Sequence, residues 1–193
     1  MVRRGLTAEG IGVEGADLAD EVGLAEVTIS RVARRLGVRV PSLYAHLAGT
    51  EELMLWVTAV SLDDLAERVS AEIAGRSGIE ALRAYADAFR AFAREHPGRY
   101  EASRRRVAGD AEGLETAREA AISAGRRHAE LVAALLRGFA VTGDDVVHAT
   151  RLIGSVIHGF VSLEAAGAFD HSTPAPEESW HRALTVLAGT LGA

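Results

Sequence analysis

The chain has 193 residues, is 48% hydrophobic, carries 21 basic and 27 acidic residues for a net charge of −6, and has no cysteine. That composition supports a sizeable core, excludes disulfides and thiolate metal sites, and argues against a surface coated in positive charge. The opening MVRRGLTAEG has no apolar segment after its arginines, and the greasiest run, LMLWVTAVSL, is too short to cross a bilayer, so the expectation is a cytoplasmic protein with no membrane partner.

Apolar residues recur at three- and four-residue steps almost throughout, which predicts an all-α fold. A first helix is expected around 7–22, although Gly10, Gly12 and Gly15 cost it roughly 1 kcal/mol each against alanine and point to a loose helix and modest DNA affinity. Thr28 is a good N-cap for a second helix, which Gly37 stops after Leu36. Pro41 suits the first turn of a third helix of about eight residues. Thr50, followed by Glu51 and Glu52, reads as the N-cap of a fourth helix running to about residue 75. At ~1.5 Å per residue that helix is about 40 Å long, enough to join two bodies.

The fifth helix is marked by Ile79, Leu82, Tyr85, Phe89 and Phe92, and HPGRY ends it. A short sixth follows around 100–107, then a seventh carrying Leu114 to Leu135. The eighth opens at VTGDD and reaches about Ala168. FDHSTPAPEES is a turn-rich linker before a ninth helix that ends at Leu191.

Residues 28–49 hold Arg31, Arg34, Arg35 and Arg39 and no acid, a locally basic window on an acidic chain. Two short helices separated by Gly-Val-Arg form a helix-turn-helix held together by Ile29, Val32, Ala33, Leu36, Val38, Leu43 and Leu47. Ser30, Arg31, Arg34, Arg35, Arg39, Ser42, Tyr44 and His46 are left outside, a set able to meet phosphates and base edges of double-stranded DNA. A basic helical face alone is more often a solvated surface, and Tyr44 alone could be a core aromatic.

VTISRVARRLGVRVPSLYAHLAGTEEL resembles the DNA-binding segment of the tetracycline-repressor (TetR-like) family, with its A..LGV....LY.H core before a helix that opens on an acidic pair. HGFVSLEAAGAF is similar to a C-terminal variant of that family with a His-Gly pair in a late helix. The resemblance implies a homodimeric transcriptional regulator, most simply a repressor relieved by a small-molecule effector and acting on a palindromic operator. Its three-helix DNA-binding domain would span residues 1–49, joined through the long fourth helix to a helical ligand-binding and dimerisation domain over 50–193. Carried onto this chain, the pattern places Thr28 and Ser30 at the backbone and base edges, Arg39, Val40, Ser42, Tyr44 and His46 on the reading surface, and Thr50 as a backbone clamp. Arg31 belongs to the same outward set. Many members carry lysine where this chain has Thr50, so one charge-assisted phosphate contact is missing.

In the remainder, Trp56, Tyr85, Phe89, Phe92, His128 and His158 are the candidate walls and polar anchors of an effector pocket. The aromatics read equally as core, and His128, on an apolar stripe, reads as a satisfied core histidine or as a polar anchor. The eighth helix, with Val146, Ile153, Ile157, Phe160 and Val161, has apolar surface on more than one side, which suits a dimer interface that the ninth, with Leu184, Leu187 and Leu191, would complete. Asp145/His148 and Glu178/His181 have the spacing of carboxylate–histidine metal pairs, but acids at helix starts are placed there by the helix dipole, and no metal or cofactor is expected. No catalytic motif appears; an alternative is a helical small-molecule-binding protein or a hydrolase using His158 and Glu164, without specific DNA binding.

Overall fold

The computed structural model describes residues 6–107, 113–171 and 173–192. Among them the helices are α1 (Ala8–Val22), α2 (Ile29–Leu36), α3 (Val40–Leu43), α4 (Thr50–Ile73), α5 (Gly78–Glu95), α6 (Pro97–Ser103), α7 (Glu115–Arg137), α8 (Asp145–Ala165) and α9 (Pro176–Leu191), with a single 3₁₀ turn at Leu24–Glu26. They form two compact units, one from residues up to Ala66 with Glu95–His128, the other from Glu67–Arg94 with Ala129–Ala193. The first unit thus takes in most of α4, α6 and most of α7, and is larger than a three-helix head ending at residue 49.

In the first unit the Thr7 hydroxyl caps α1 by accepting from the Gly10 N–H at 3.0 Å. Ile11, Ala16 and Ala19 of α1, Val32 and Ala33 of α2, Leu43, and Leu53 and Val57 of α4 share one buried cluster. The glycines of α1 have a packing reason that helix propensity does not reveal. A Cβ on Gly12 would lie 2.6 Å from Trp56 Cβ, and one on Gly15 2.7 Å from Val57 Cγ2. They let α1 and α4 approach closely, so the looseness expected from propensity alone is offset by contact. Gly12→Ala is therefore expected to destabilise the protein by about 1–3 kcal/mol through overpacking, rather than to stabilise it as a better helix former. Urea denaturation decides between the two signs.

Two sequence expectations shift here. HPGRY opens a helix instead of only closing one: Pro97 sits in the first turn of α6, where its missing N–H leaves no bond unmade, and α6 ends at Ser103. Arg104, Arg105 and Arg106 follow it exposed, with the Arg104 guanidinium 4.9 Å from the Tyr100 ring centroid. Burial pushes the Tyr100 pKa up to about 12, against the lowering effect of that cation.

In the second unit Leu82, Phe89, Ile153, Ile157, Trp180 and Leu184 are buried. The start of α5 lies against the end of α7, where a Cβ on Gly138 would come within 2.7 Å of the Gly78 nitrogen. α8 ends at Ala165, three residues earlier than expected, because Gly167 adopts the left-handed conformation (φ 71°) and its N–H donates to the Glu164 carbonyl. By length and composition α8 is also apolar enough to cross a bilayer, with a window of mean hydropathy 1.3, which the expectation built on LMLWVTAVSL overlooked. Only 22% of that window is buried, and Val147, Leu152 and Leu163 of α8 and Val186 of α9 are exposed.

Candidate nucleic-acid interface

The turn is built from local hydrogen bonds. Thr28 Oγ1 accepts from the Arg31 N–H at 3.2 Å, starting α2 where the sequence indicates. At the other end Gly37 is left-handed (φ 68°), and the Gly37 and Val38 N–H groups donate to the Arg34 and Ala33 carbonyls. This pair of hydrogen bonds satisfies the last carbonyls of α2 and reverses the chain. α3 has four residues, half the expected length. The Leu43 carbonyl then accepts from both His46 and Leu47 N–H at 2.9 Å, which tightens the chain into a turn. Val32, Ala33, Leu43 and Leu47 are at most 2% exposed and fasten the two helices to the core beneath them.

What that packing leaves outward matches the sequence reading. Ser30, Arg39, Ser42, Tyr44, His46 and Thr50 are exposed, Tyr44 at 56%, while Val40 and Arg31 are half-buried. Thr28 is exposed, but its oxygen is engaged as the cap. Thr50 is the first residue of α4 and not its cap: the Leu53 N–H donates to the Gly49 carbonyl, and Glu52 reaches back to accept from the Ala48 N–H at 2.6 Å.

The basic window is less basic than it reads. Arg35 is held by Glu21 at 2.7 Å and by Glu14 at 2.9 Å, and these hydrogen bonds, that to Glu21 first, raise its pKa. Arg31 pairs with Glu26 at 2.7 Å. Arg34 and Arg39 make no ion pair with the described residues and are the cations left for an outside anion. The sequence hides this because Glu14 and Glu21 lie on α1, outside residues 28–49.

The expected pocket residues divide between the units. Trp56, half-buried, packs against the first unit's core and donates to Glu52 at 3.4 Å; His128 is a half-buried residue of α7 in the same unit. In the second unit Tyr85 and Phe89 lie 4.8 Å apart and His158 meets Phe89 edge-on at 5.6 Å, with Phe92 also buried. Burial raises the Tyr85 pKa, so its hydroxyl stays protonated.

Two ionic knots escaped the sequence reading. In the first unit Arg99 of α6 holds Asp17 and Asp20 of α1 and Asp64 of α4. In the second, Arg90 of α5 binds Glu164 of α8 through two nitrogens and Glu177 of α9 through a third, with its guanidinium over Phe160 and Trp180. The one available signal was an arginine beside Phe89 on the apolar stripe of α5. The knot also removes the hydrolase alternative, since Glu164 is locked to Arg90 and Arg94 with its pKa lowered, chiefly by the Arg90 hydrogen bond. Of the metal pairs, His181 lies 3.1 Å from Glu177 instead of Glu178, and the described residues contain no cluster of three or more metal-ligating side chains.

A helix-turn-helix with a polar, partly cationic outer face on a helical chain defines a DNA-binding regulator. Comparison with known proteins places it within that class. Residues 13–56 match the family model for bacterial regulatory proteins of the tetR family, and residues 82–187 match the tetracyclin repressor-like C-terminal domain. The HTH-type transcriptional regulator Rv0681 of Mycobacterium tuberculosis is 36% identical over 159 residues, covering 82% of this chain and 70% of its own. The chain belongs to the TetR family of transcriptional regulators, which are not enzymes. The fold is also that of BioQ solved with its double-stranded DNA operator (20% identity, TM-score 0.61, covering 97% of this chain and 99% of BioQ). The Streptomyces coelicolor protein ActR, solved with (S)-DNPA, shares it too (16% identity, TM-score 0.67, covering 97% and 98%).

Proposed function

We propose that the protein is a homodimeric, effector-responsive repressor that acts in the cytoplasm on a palindromic operator. The observation that carries this reading is the outward set Arg39, Ser42, Tyr44 and His46 on a turn whose inner residues are all committed to the core. One four-residue helix reads few base pairs, so two copies set one turn of DNA apart would be needed for specificity. The exposed apolar residues of α8 and α9, Leu152, Leu163 and Val186, support a dimer through those helices. Ile157 and Leu187, which the sequence pattern also offers, are buried within their own unit and serve its core. In functional terms residues 1–49 read DNA and 50–193 bind the effector and the second copy. Thr28, Ser30, Arg31, Val40 and Thr50 flank the reading set and position it on the backbone.

For the effector, Tyr85, Phe89, Phe92 and His158 form an apolar group with one imidazole, which suits a mostly apolar molecule with one or two polar atoms. Trp56 and His128 fall in the other unit and are not counted in that group. The structures of BioQ with operator DNA and ActR with a small molecule show that proteins of this fold bind both kinds of partner.

The test is a gel shift against DNA flanking the protein's own gene. Tyr44→Ala and Arg39→Ala are each expected to weaken specific binding by about 1–3 kcal/mol with an unchanged melting temperature, since neither side chain is in the core. Wild-type affinity in both variants would refute the reading surface.

A further inference from the structure

The second unit contains a cavity of about 490 Å³, at the end where α7 turns into α8 and α9 finishes. It shares no residue with the group around Phe89 and His158, although Leu152, which also lines it, lies on the face proposed for the dimer. The volume lies within the range of small-molecule sites. Its lining includes the apolar Phe139, Val141 and Leu191 and the polar Thr142, Asp145 and His148.

Charge selects the ligand class. Of the residues lining the cavity, Asp145 alone is formally charged at neutral pH with histidine neutral; no arginine lines it. Asp145 and His148 stand one helical turn apart on the same side of α8, and neither side chain has a hydrogen bond or ion pair with the described residues. A helix start would otherwise favour an anion, but the Asp145 carboxylate already lies in that first turn and answers the dipole. A second anion would meet a like charge there, whereas a cation would find a carboxylate and an imidazole lone pair together.

We infer that this cavity binds a small amphipathic cation, an alkylammonium whose N–H groups donate to Asp145 and His148 while its hydrocarbon body lies on Phe139, Val141 and Leu191. The site is independent of the effector group proposed above, and the test keeps the two apart. Octylammonium chloride is titrated calorimetrically into the full chain near neutral pH, with octanoate and octanol as probes of matched tail and different head. Saturable binding of octylammonium is expected, roughly tenfold or more tighter than either control, and Asp145→Asn should remove that advantage, since a charge-assisted hydrogen bond is lost. Asp145 is exposed, so the variant should stay folded and lose no more than the small stability that a first-turn acid contributes through the helix dipole. His158→Ala should leave octylammonium binding unchanged. Absence of saturable binding, octanoate binding as tightly as octylammonium, full affinity in Asp145→Asn, or loss of affinity in His158→Ala would each overturn the inference.

Discussion

Arg99→Met is expected to lower stability by about 3–5 kcal/mol, a large part of what a domain of this size has to lose. The Arg99 side chain is 10% exposed and donates to Asp17 at 2.7 Å, to Asp64 at 2.9 Å and to Asp20, while its backbone N–H also donates to Asp20 at 2.8 Å. Burial works against its charge, but the hydrogen bonds it donates to Asp17 and Asp20 outweigh that and raise its pKa. Removing the guanidinium leaves three carboxylates near one another with no shared cation. Asp17 and Asp64 are 39% and 43% exposed and would be screened by water, so the cost falls mainly on Asp20, at 14%, which keeps His96 Nδ1 at 3.0 Å and the Arg99 backbone N–H. The seam cannot relax by sliding, because Gly98 is pressed against the Ala19 backbone and has no room for a Cβ. Arg99→Lys should recover little, since an ammonium cannot reach three carboxylates in fixed directions as the guanidinium fork does. Chemical denaturation measures both; a loss below about 1 kcal/mol in Arg99→Met would mean the carboxylates are hydrated and the knot is not holding α6 to α1.

Arg90→Met is the second large effect, at about 3 kcal/mol, and it carries a pH signature. Arg90 is 6% exposed and Glu164 17%, so their pair is shielded from solvent. Methionine would keep much of the contact with Phe160 and Trp180 but leave Glu164 with Arg94 alone, 2.9 Å away and 56% exposed. The folded protein holds the Glu164 pKa below its usual 4.5, so the unfolded chain binds the proton more readily. The stability this contributes is present above the unfolded value and is lost as pH falls through the folded one. The wild type should therefore lose stability on acidification below about pH 4.5, and Arg90→Met should lose less over the same interval, because much of the depression is gone. Melting curves taken near neutrality and near pH 4 test this. Parallel pH profiles for the two proteins would show that Arg94 alone depresses Glu164.

The caps and stops that produce the helix-turn-helix were legible because each depends on residues within a few positions of one another. Thr28 accepts from Arg31, and Gly37 takes the left-handed turn that few other residues adopt without strain. The inward set from Ile29 to Leu47 was equally plain, since a helical period and a core leave little choice of face. Errors fell where a local rule met a competing contact. Thr50 looked like a cap because threonine before two glutamates usually is one, yet Gly49 fills the role and Glu52 closes the turn from inside. HPGRY ends α5 by its local pattern, yet Pro97 at the head of α6 makes the same stretch an initiator.

By itself the sequence determined the helical class, the turn and its outward residues, because periodicity, capping and chirality act over three to five residues. Only the tertiary structure decided which charges remain available and why α1 tolerates its glycines. Arg35 is neutralised from α1, Asp20 and Arg99 meet across 79 positions of sequence, and Arg90 gathers carboxylates from α8 and α9. Gly12 and Gly15 are explained only by Trp56 and Val57 lying against them. Coulomb attraction and steric exclusion depend on distance in space, and spatial distance between remote residues is set by how the helices pack, which no local pattern encodes.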